Sequence, residues 1–442
     1  MLDRREDGPR WLMPAAIVIV ALVVRIAVIA ADSGYEPAND AFEYDYYARS
    51  IASGDGYERS GYLLQGGPTA IRGPGYPYFL GAVYALTDDS VASGRVAGAL
   101  LGALTVLLLY LLVRRIWGRR VGLVAAGLAA IFPPLALLSR DLLSEVLFLP
   151  LALGALLCVL NFRRSGGDLR WAVAAGGLSG TAALTRNTGL LVLACVALGV
   201  WTLRPRLRPR ALAAPLGALA CAALVIAPWT IRNAKQFGEF VPLTTAGGFA
   251  TAGTYNAASY AAASTHGAWR TPQIVPEYRR LFLTPGIDEA GVDDRLREEV
   301  RDFAWEHPGY VAEATGWNLL RLFEISGGSV VNSRGEPVTE RGIGSAIPVA
   351  ERIALALAVA LAAVGLIAVL RAQSAARDRS GPPSIPAGPL FFWLVPVLVV
   401  LASAPIAGLP RYRVPADPFL LTAAAIGLVV LSGMVIQSRR QS

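Results

Sequence analysis

The sequence predicts an all-α polytopic membrane protein of about ten helices, with a mixed loop domain on the side away from the cytoplasm. Three observations carry this: few charges, apolar runs of spanning length, and arginines gathered in alternate loops. Of 442 residues, 54% are hydrophobic and 16% charged, and the mean hydropathy is +0.49. A soluble domain carries about a quarter charged residues.

Runs of about 18 or more apolar residues suit a bilayer crossing. Such runs, some slightly shorter, occupy 11–31, 91–113, 121–139, 142–160, 171–185, 187–203, 211–229, 349–370, 390–409 and 414–436. The stretch 171–203 reads either as two short helices or as one broken one. The first run, preceded by Arg4 and Arg5, also suits a signal peptide, but it exceeds the usual core of about 7–15 residues and is expected to be retained. The segment 74–86 is too short to span and begins with prolines. It is expected to lie along the interface or to extend the second helix outward.

With the N-terminus inside, alternate loops collect Arg114, Arg115, Arg119 and Arg120; Arg163, Arg164 and Arg170; Arg204, Arg206, Arg208 and Arg210; and Arg371, Arg377 and Arg379. Arg439 and Arg440 close the C-terminal tail. This asymmetry orients membrane proteins, so both termini are expected in the cytoplasm, within an inner (cytoplasmic) membrane. The net charge of +8 is a topological signal with anionic lipid as its partner, and it does not point to nucleic acid. Cys158, Cys195 and Cys221 fall inside spans and read as packing residues. Gly94, Gly98 and Gly102 form a doubled GxxxG, a helix-packing signature.

Three regions follow. Residues 1–229 form an N-terminal transmembrane module whose first outer loop is 32–75. Residues 230–348 form an outer loop domain, and 349–442 supply the last helices. The first loop carries seven acidic residues against three arginines. In the second, Val292, Leu296, Val300 and Phe303 share one face of a helix over 289–306. Pro308 opens another helix ending near Glu324. From Ile325 to Pro348 the chain reads as a Gly/Ser-rich loop, and 372–389 as a polar cytoplasmic linker.

Ionisable groups at outer helix ends are costly near hydrocarbon and usually face a cavity. Asp40 opens NDAFEYDYYARSIASGDGY, just beyond the first span. Asp141 and Glu145, in SRDLLSE, are spaced to share one helical face. Arg72, Arg140, Arg186, Arg232, Arg411 and Arg413 also fall at outer boundaries. Carboxylates beside convergent arginines suit a site that binds a phosphate and takes a proton from a hydroxyl. Each has a plainer reading. Asp40 suits an N-cap for the helix holding Tyr44, Tyr47 and Ile51. Asp141 and Glu145 suit pairing with Arg140 or solvation of a turn. The arginines suit snorkelling, and His266 and His307 read as ordinary loop residues. No P-loop, nucleophile elbow or zinc motif is present.

Several segments, taken in order, resemble the GT-C superfamily of membrane glycosyltransferases. The nearest branch is the bacterial one related to protein mannosyltransferases and lipid A aminoarabinose transferases. They are Arg25 late in the first helix; Asn39–Asp40; YYARSIASGDGY; PTAIRGPGYPYFLGAVY from Pro68 to Tyr84; SRDLLSEVLF from Ser139 to Phe148; APWTIRNAKQFGEFVPLTTAGG from Ala227 to Gly248; and RYRVPADPFLL from Arg411 to Leu421. The resemblance implies transfer of a sugar from a polyprenyl-phosphate-linked donor to a lipid, glycan or protein acceptor on the outer membrane face. It implies that Asp40 is the base toward the acceptor hydroxyl and that the second acidic position is Asp141 or Glu145. Many relatives have two adjacent acids in the first loop. Here Asn39 stands beside Asp40, which leaves a divalent cation open as a cofactor. For the donor phosphate the candidates are Arg72, Arg186, Arg232 and Arg411, because an arginine grips phosphate bidentately without losing its proton. A flippase or other transporter of lipid-linked sugar is the alternative. It predicts inverted repeats and midplane charges, and the sequence displays neither. A non-catalytic scaffold would tolerate loss of Asp40.

Overall fold

A computed structural model describes the chain except for residues 1–10, 58–62, 64–65, 88–89, 202–208, 332–335, 339–345, 378–385 and 442. Its helices are α1 (Leu12–Ala30), α2 (Asp40–Ser53), α3 (Gly75–Leu86), α4 (Val91–Trp117), α5 (Arg119–Ile131), α6 (Pro133–Leu137), α7 (Glu145–Arg164), α8 (Leu169–Thr185) and α9 (Gly189–Val200). They continue with α10 (Pro209–Phe237), α11 (Gly247–Ala252), α12 (Ala257–Ala261), α13 (Pro276–Leu283), α14 (Glu289–Glu306), α15 (Pro308–Leu322), α16 (Ala346–Arg377), α17 (Leu390–Ser403) and α18 (Asp417–Gln441). Each of the ten apolar runs is helical over most of its described length. Among the described residues, six helices, α1, α4, α7, α10, α16 and the one at the end of the chain, are long and apolar enough to cross a membrane, while α9 and α17 are shorter and apolar. The charge clusters at Arg204, Arg206, Arg208 and Arg379 lie outside the described residues.

The stretch 171–203 is two helices, broken at Arg186–Thr188. The run 121–139 also breaks. Phe132 leaves the helical region, and Pro133 and Pro134 restart the chain as α6. A proline cannot supply the amide that would satisfy the preceding turn. Arg25, 1% exposed, fills this gap: its guanidinium donates to Ala130 O (3.2 Å) and Leu135 O (3.4 Å), and to Ala21 O of its own helix (2.9 Å). Gly102 makes room for it, since a Cβ there would collide with the Arg25 side chain. The GxxxG face is therefore a packing face: Gly94 lies against Leu80 and Leu142, and Gly98 against Val146.

The outer helices behave differently from one expectation. Residues 75–86 form a separate helix that packs against α2 rather than extending α4. The helices over 289–306 and from Pro308 appear where the apolar spacing puts them. Within Ile325–Pro348, two-residue strands Val330–Val331 and Pro337–Val338 pair antiparallel, and Val330 bridges to Trp269.

At one end of the bundle Arg115 reaches Asn161, and Arg164 donates to Arg115 O (2.7 Å). These residues close α4 and α7. The opposite ends of α7 and α8 carry Glu145 and Arg186, and it is at that end that the acidic first loop folds back.

Candidate active site

Asp40 is the first residue of α2. The N-cap position belongs to Asn39, whose φ of 52° turns the chain into the helix, and no side chain caps the helix there. The Asp40 carboxylate goes to arginines instead. Oδ1 pairs with Arg72 Nη2, and Oδ2 lies 2.5 Å from Arg411 Nη2. One turn along the helix, Glu43 accepts from Arg72 Nε at 2.6 Å, so two carboxylates of α2 hold two nitrogens of one guanidinium. Burial alone would raise the Asp40 pKa. Arg411 and Arg72, with Arg186 further off, reverse this and hold the carboxyl well below the usual carboxylate range.

Arg72 stands in the bend before α3, where Tyr57 Oη donates to its carbonyl oxygen (2.7 Å). The glycines on either side of Pro74 allow this bend to press on the end of α8. A Cβ at Gly73 would strike the Leu184 carbonyl, and one at Gly75 would strike Thr185. That close approach brings Arg72 beside Arg186, the C-cap of α8. Arg186 Nη1 lies 2.6 Å from Glu145 Oε1 and donates to Ser144 Oγ (3.1 Å). Tyr44, one turn after Asp40, donates to the same Ser144 oxygen (3.1 Å). Burial raises the Tyr44 pKa, which keeps the phenol protonated as a donor.

Arg411 comes from the 3-10 turn Pro410–Ala416. Arg413 anchors that turn, bonding Asp417 (2.9 Å), Leu322 O (2.7 Å) and Glu324 (3.3 Å). The Tyr412 ring sits between Arg186 and Arg411, with their Cζ atoms 5.7 and 5.5 Å from its centroid.

Asp40, Arg72, Arg186, Arg411 and Glu145 thus share one locus at the ends of α2, α8 and α7 and in the turn before α18. Asp141 and Arg232 stand apart from it. Asp141 does not share a helical face with Glu145, because α7 starts only at Glu145. The preceding turn is held open by Arg95 Nε, which takes Arg140 O at 2.7 Å, and Asp141 pairs with Arg140 (3.4 Å). Arg232 donates to Thr69 O (2.7 Å) and Tyr57 O (2.5 Å). It braces the first loop, and buried Glu289 braces the same segment through Thr69 and Ala70 N. Glu43, Tyr44, Ser144 and Tyr412 were not singled out from the sequence. Helical spacing from Asp40 would have reached the first two, while Ser144 and Tyr412 adjoin residues that were named.

A divalent cation does not fit this donor set. Both Asp40 oxygens face guanidinium groups, and the residue beside it is the uncharged Asn39. Among the described residues no cluster of three or more His, Cys, Asp or Glu could hold a metal.

Residues 71–231 match the dolichyl-phosphate-mannose-protein mannosyltransferase family. No curated protein matches the chain. Among solved structures, the oligosaccharyltransferase of Archaeoglobus fulgidus in its apo form superimposes with a TM-score of 0.55 at 16% identity, over 97% of this chain and 51% of that one. AglB from the same organism, in complex with an inhibitory peptide and a dolichol-phosphate, gives 0.53 at 15% identity, over 97% and 51%. ArnT from Cupriavidus metallidurans gives 0.43 at 17% identity, over 93% and 76%. The chain spans about half the length of the archaeal oligosaccharyltransferase chains. The chain thus shares the fold of the archaeal oligosaccharyltransferase over nearly all its length, and residues 71–231 carry the sequence match to the mannosyltransferase family.

Proposed function

We propose that the protein transfers a sugar from a polyprenyl-phosphate-linked donor to a hydroxyl, or another nucleophile, of a lipid, glycan or protein acceptor, at the extracytoplasmic face of the cytoplasmic membrane. The observation that carries this reading is the meeting of Asp40 with Arg72 and Arg411, beside Arg186, at one end of the helical bundle. Breaking a sugar–phosphate bond builds positive charge on the sugar and negative charge on the departing phosphate. Preorganised cations are the groups that stabilise such a leaving group. The dolichol-phosphate bound to AglB supports a lipid phosphate as donor, and its tail would lie among apolar helices.

In this reading Asp40 accepts the proton of the acceptor as the new bond to the sugar forms. Arg411, Arg72 and Arg186 receive the phosphate. Glu145 is fully buried and bound to Arg186, so it positions that arginine and does not itself reach the acceptor. Arg232 and Glu289 hold the loop that carries Arg72. The basic helix ends opposite the site support a cytoplasmic placement for those ends and an external one for the site.

The test is Asp40→Asn in purified, reconstituted protein supplied with polyprenyl-phosphate sugar and acceptor. Loss of the base is expected to lower turnover roughly 10²–10⁴-fold while the protein inserts and binds donor. Near-normal turnover would remove Asp40 from the reaction.

A further inference from the structure

Asp40 is arranged to be a base and yet is prevented from acting as one. Each of its oxygens faces a guanidinium: Arg72 Nη2 on Oδ1, and Arg411 Nη2 at 2.5 Å on Oδ2. Each oxygen keeps a second lone pair, but two cations in direct contact with the carboxylate balance its charge and leave it a poor acceptor for the proton of an incoming hydroxyl. The same two arginines are the groups best suited to a phosphate. Both demands fall on one pair of cations.

We propose that Arg72 and Arg411 form a latch on Asp40, and that the phosphate of the lipid donor opens it by drawing their Nη groups away. This rests on the functional reading above and adds an order of events to it. Donor binds first, the arginines exchange one carboxylate for the phosphate oxygens, and only then is Asp40 able to take the acceptor's proton. The acceptor oxygen then forms its bond to the sugar, the sugar–phosphate bond breaks with its electron pair going to the phosphate oxygen, and the arginines are already in place to receive that charge.

The surroundings suit such an exchange. Glu43 holds Arg72 by Nε at 2.6 Å, a different nitrogen from the one that meets Asp40. Arg72 can therefore release Asp40 from Nη2 while Glu43 keeps it in the site. Arg411 is carried on a turn anchored by Arg413, through Asp417 and Leu322 O, so its backbone stays in place while its side chain moves. Arg186 is held by Glu145 and not by Asp40, and it offers the phosphate a cation that requires no exchange.

The latch predicts an effect opposite in sign to the usual result of removing a site residue. In Asp40→Asn the arginines no longer have a carboxylate to leave, so the variant should bind sugar-free dolichyl phosphate more tightly than the wild type. The expected gain is about tenfold or more, the lower end of the coupling between close charge pairs. The measurement is equilibrium binding of dolichyl phosphate to full-length protein in nanodiscs, in a cycle with Arg411→Ala. If the gain comes from the latch, it shrinks in the Arg411→Ala background. If it comes from repulsion between Asp40 and the phosphate, it persists there, and the latch is overturned. Glu43→Gln is the control for charge alone: it removes one negative charge at the same locus and leaves both arginines on Asp40, so it should not reproduce the gain. Unchanged or weaker binding by Asp40→Asn also overturns the latch, while its loss of turnover would leave the base assignment standing. Failure of both wild type and Asp40→Asn to bind the lipid phosphate sinks the donor reading together with the latch.

Discussion

Glu145→Gln is the perturbation that best separates a positioning residue from a reacting one. The carboxylate is fully buried, and its Oε1 lies 2.6 Å from Arg186 Nη1. Removing one partner of a buried ion pair costs about 3–5 kcal/mol, chiefly because the other charge is left uncompensated. Here the cost should fall near the lower end, about 3 kcal/mol, since glutamine keeps the shape and Ser144 still accepts from Arg186. The Arg186 side chain also retains 16% exposure, so water shares its charge. Part of the loss should appear in donor binding as Arg186 loses its aim. One charged hydrogen bond is worth about 1.5–3 kcal/mol, which is roughly 10- to 100-fold in the dissociation constant. Thermal unfolding and titration with labelled dolichyl phosphate read the two effects separately, and Glu145→Asp, which keeps the charge, should recover part of each. A glutamine variant with wild-type stability and wild-type donor affinity refutes the pairing argument. A collapse of turnover with donor affinity intact would place Glu145 in the reaction itself.

Three further outcomes test other parts of the molecule. Arg232→Ala should lower stability, because Thr69 O and Tyr57 O lose their donor, at about 1–3 kcal/mol for each buried acceptor left alone; a donor-affinity loss in well-folded variant protein would return Arg232 to the phosphate site. If the proposed orientation holds, a cysteine replacing Trp305, which is 80% exposed within 230–348, reacts with an impermeant reagent in intact cells, whereas one replacing Ser165 reacts only after lysis; the reverse pattern inverts the topology. Burial pushes the Asp293 carboxyl up to about 6, against the pull of Arg297 and the amides of Gly248 and Phe249. A folded-state pKa above the unfolded value gives stability that is complete below about pH 4 and lost as the pH rises through 6. Melting curves should therefore show a loss of about 2–3 kcal/mol from pH 4 to 7 in the wild type that Asp293→Asn lacks, and equal slopes would discount the buried carboxyl.

The spans were legible because a bilayer leaves few solutions: backbone groups in hydrocarbon must be satisfied within the segment, so long apolar runs become helices. The outer helices at 289–306 and from Pro308 were legible for a different reason, since spaced apolar residues, an N-cap and a proline state a helix locally. What failed to show was anything that depended on a second segment. Asp141 and Glu145 have helical spacing, yet Arg95 arrives from α4 to take the Arg140 carbonyl and the helix starts late. The segment 75–86 could have extended α4, but the pairing of α2 with α3 gives it a surface of its own.

The arginines show where one-dimensional reading ends. Arg25, Arg72, Arg186, Arg232, Arg411 and Arg413 look alike in sequence: each stands at or near an outer boundary or inside an apolar run. In space they divide by what reaches them first. Arg25 and Arg232 find backbone carbonyls that a proline break or an exposed loop has left without donors, and those bonds commit them to structure. Arg413 finds Asp417 one turn along its own chain. Arg72 and Arg411 meet carboxylates, Asp40 for both and Glu43 for Arg72 as well, and a carboxylate partner can be exchanged for another anion, whereas the carbonyls held by Arg25 and Arg232 belong to the folded backbone itself. The chemical identity of the partner, more than the position of the arginine, therefore separates the cations available to a phosphate from those that hold the fold.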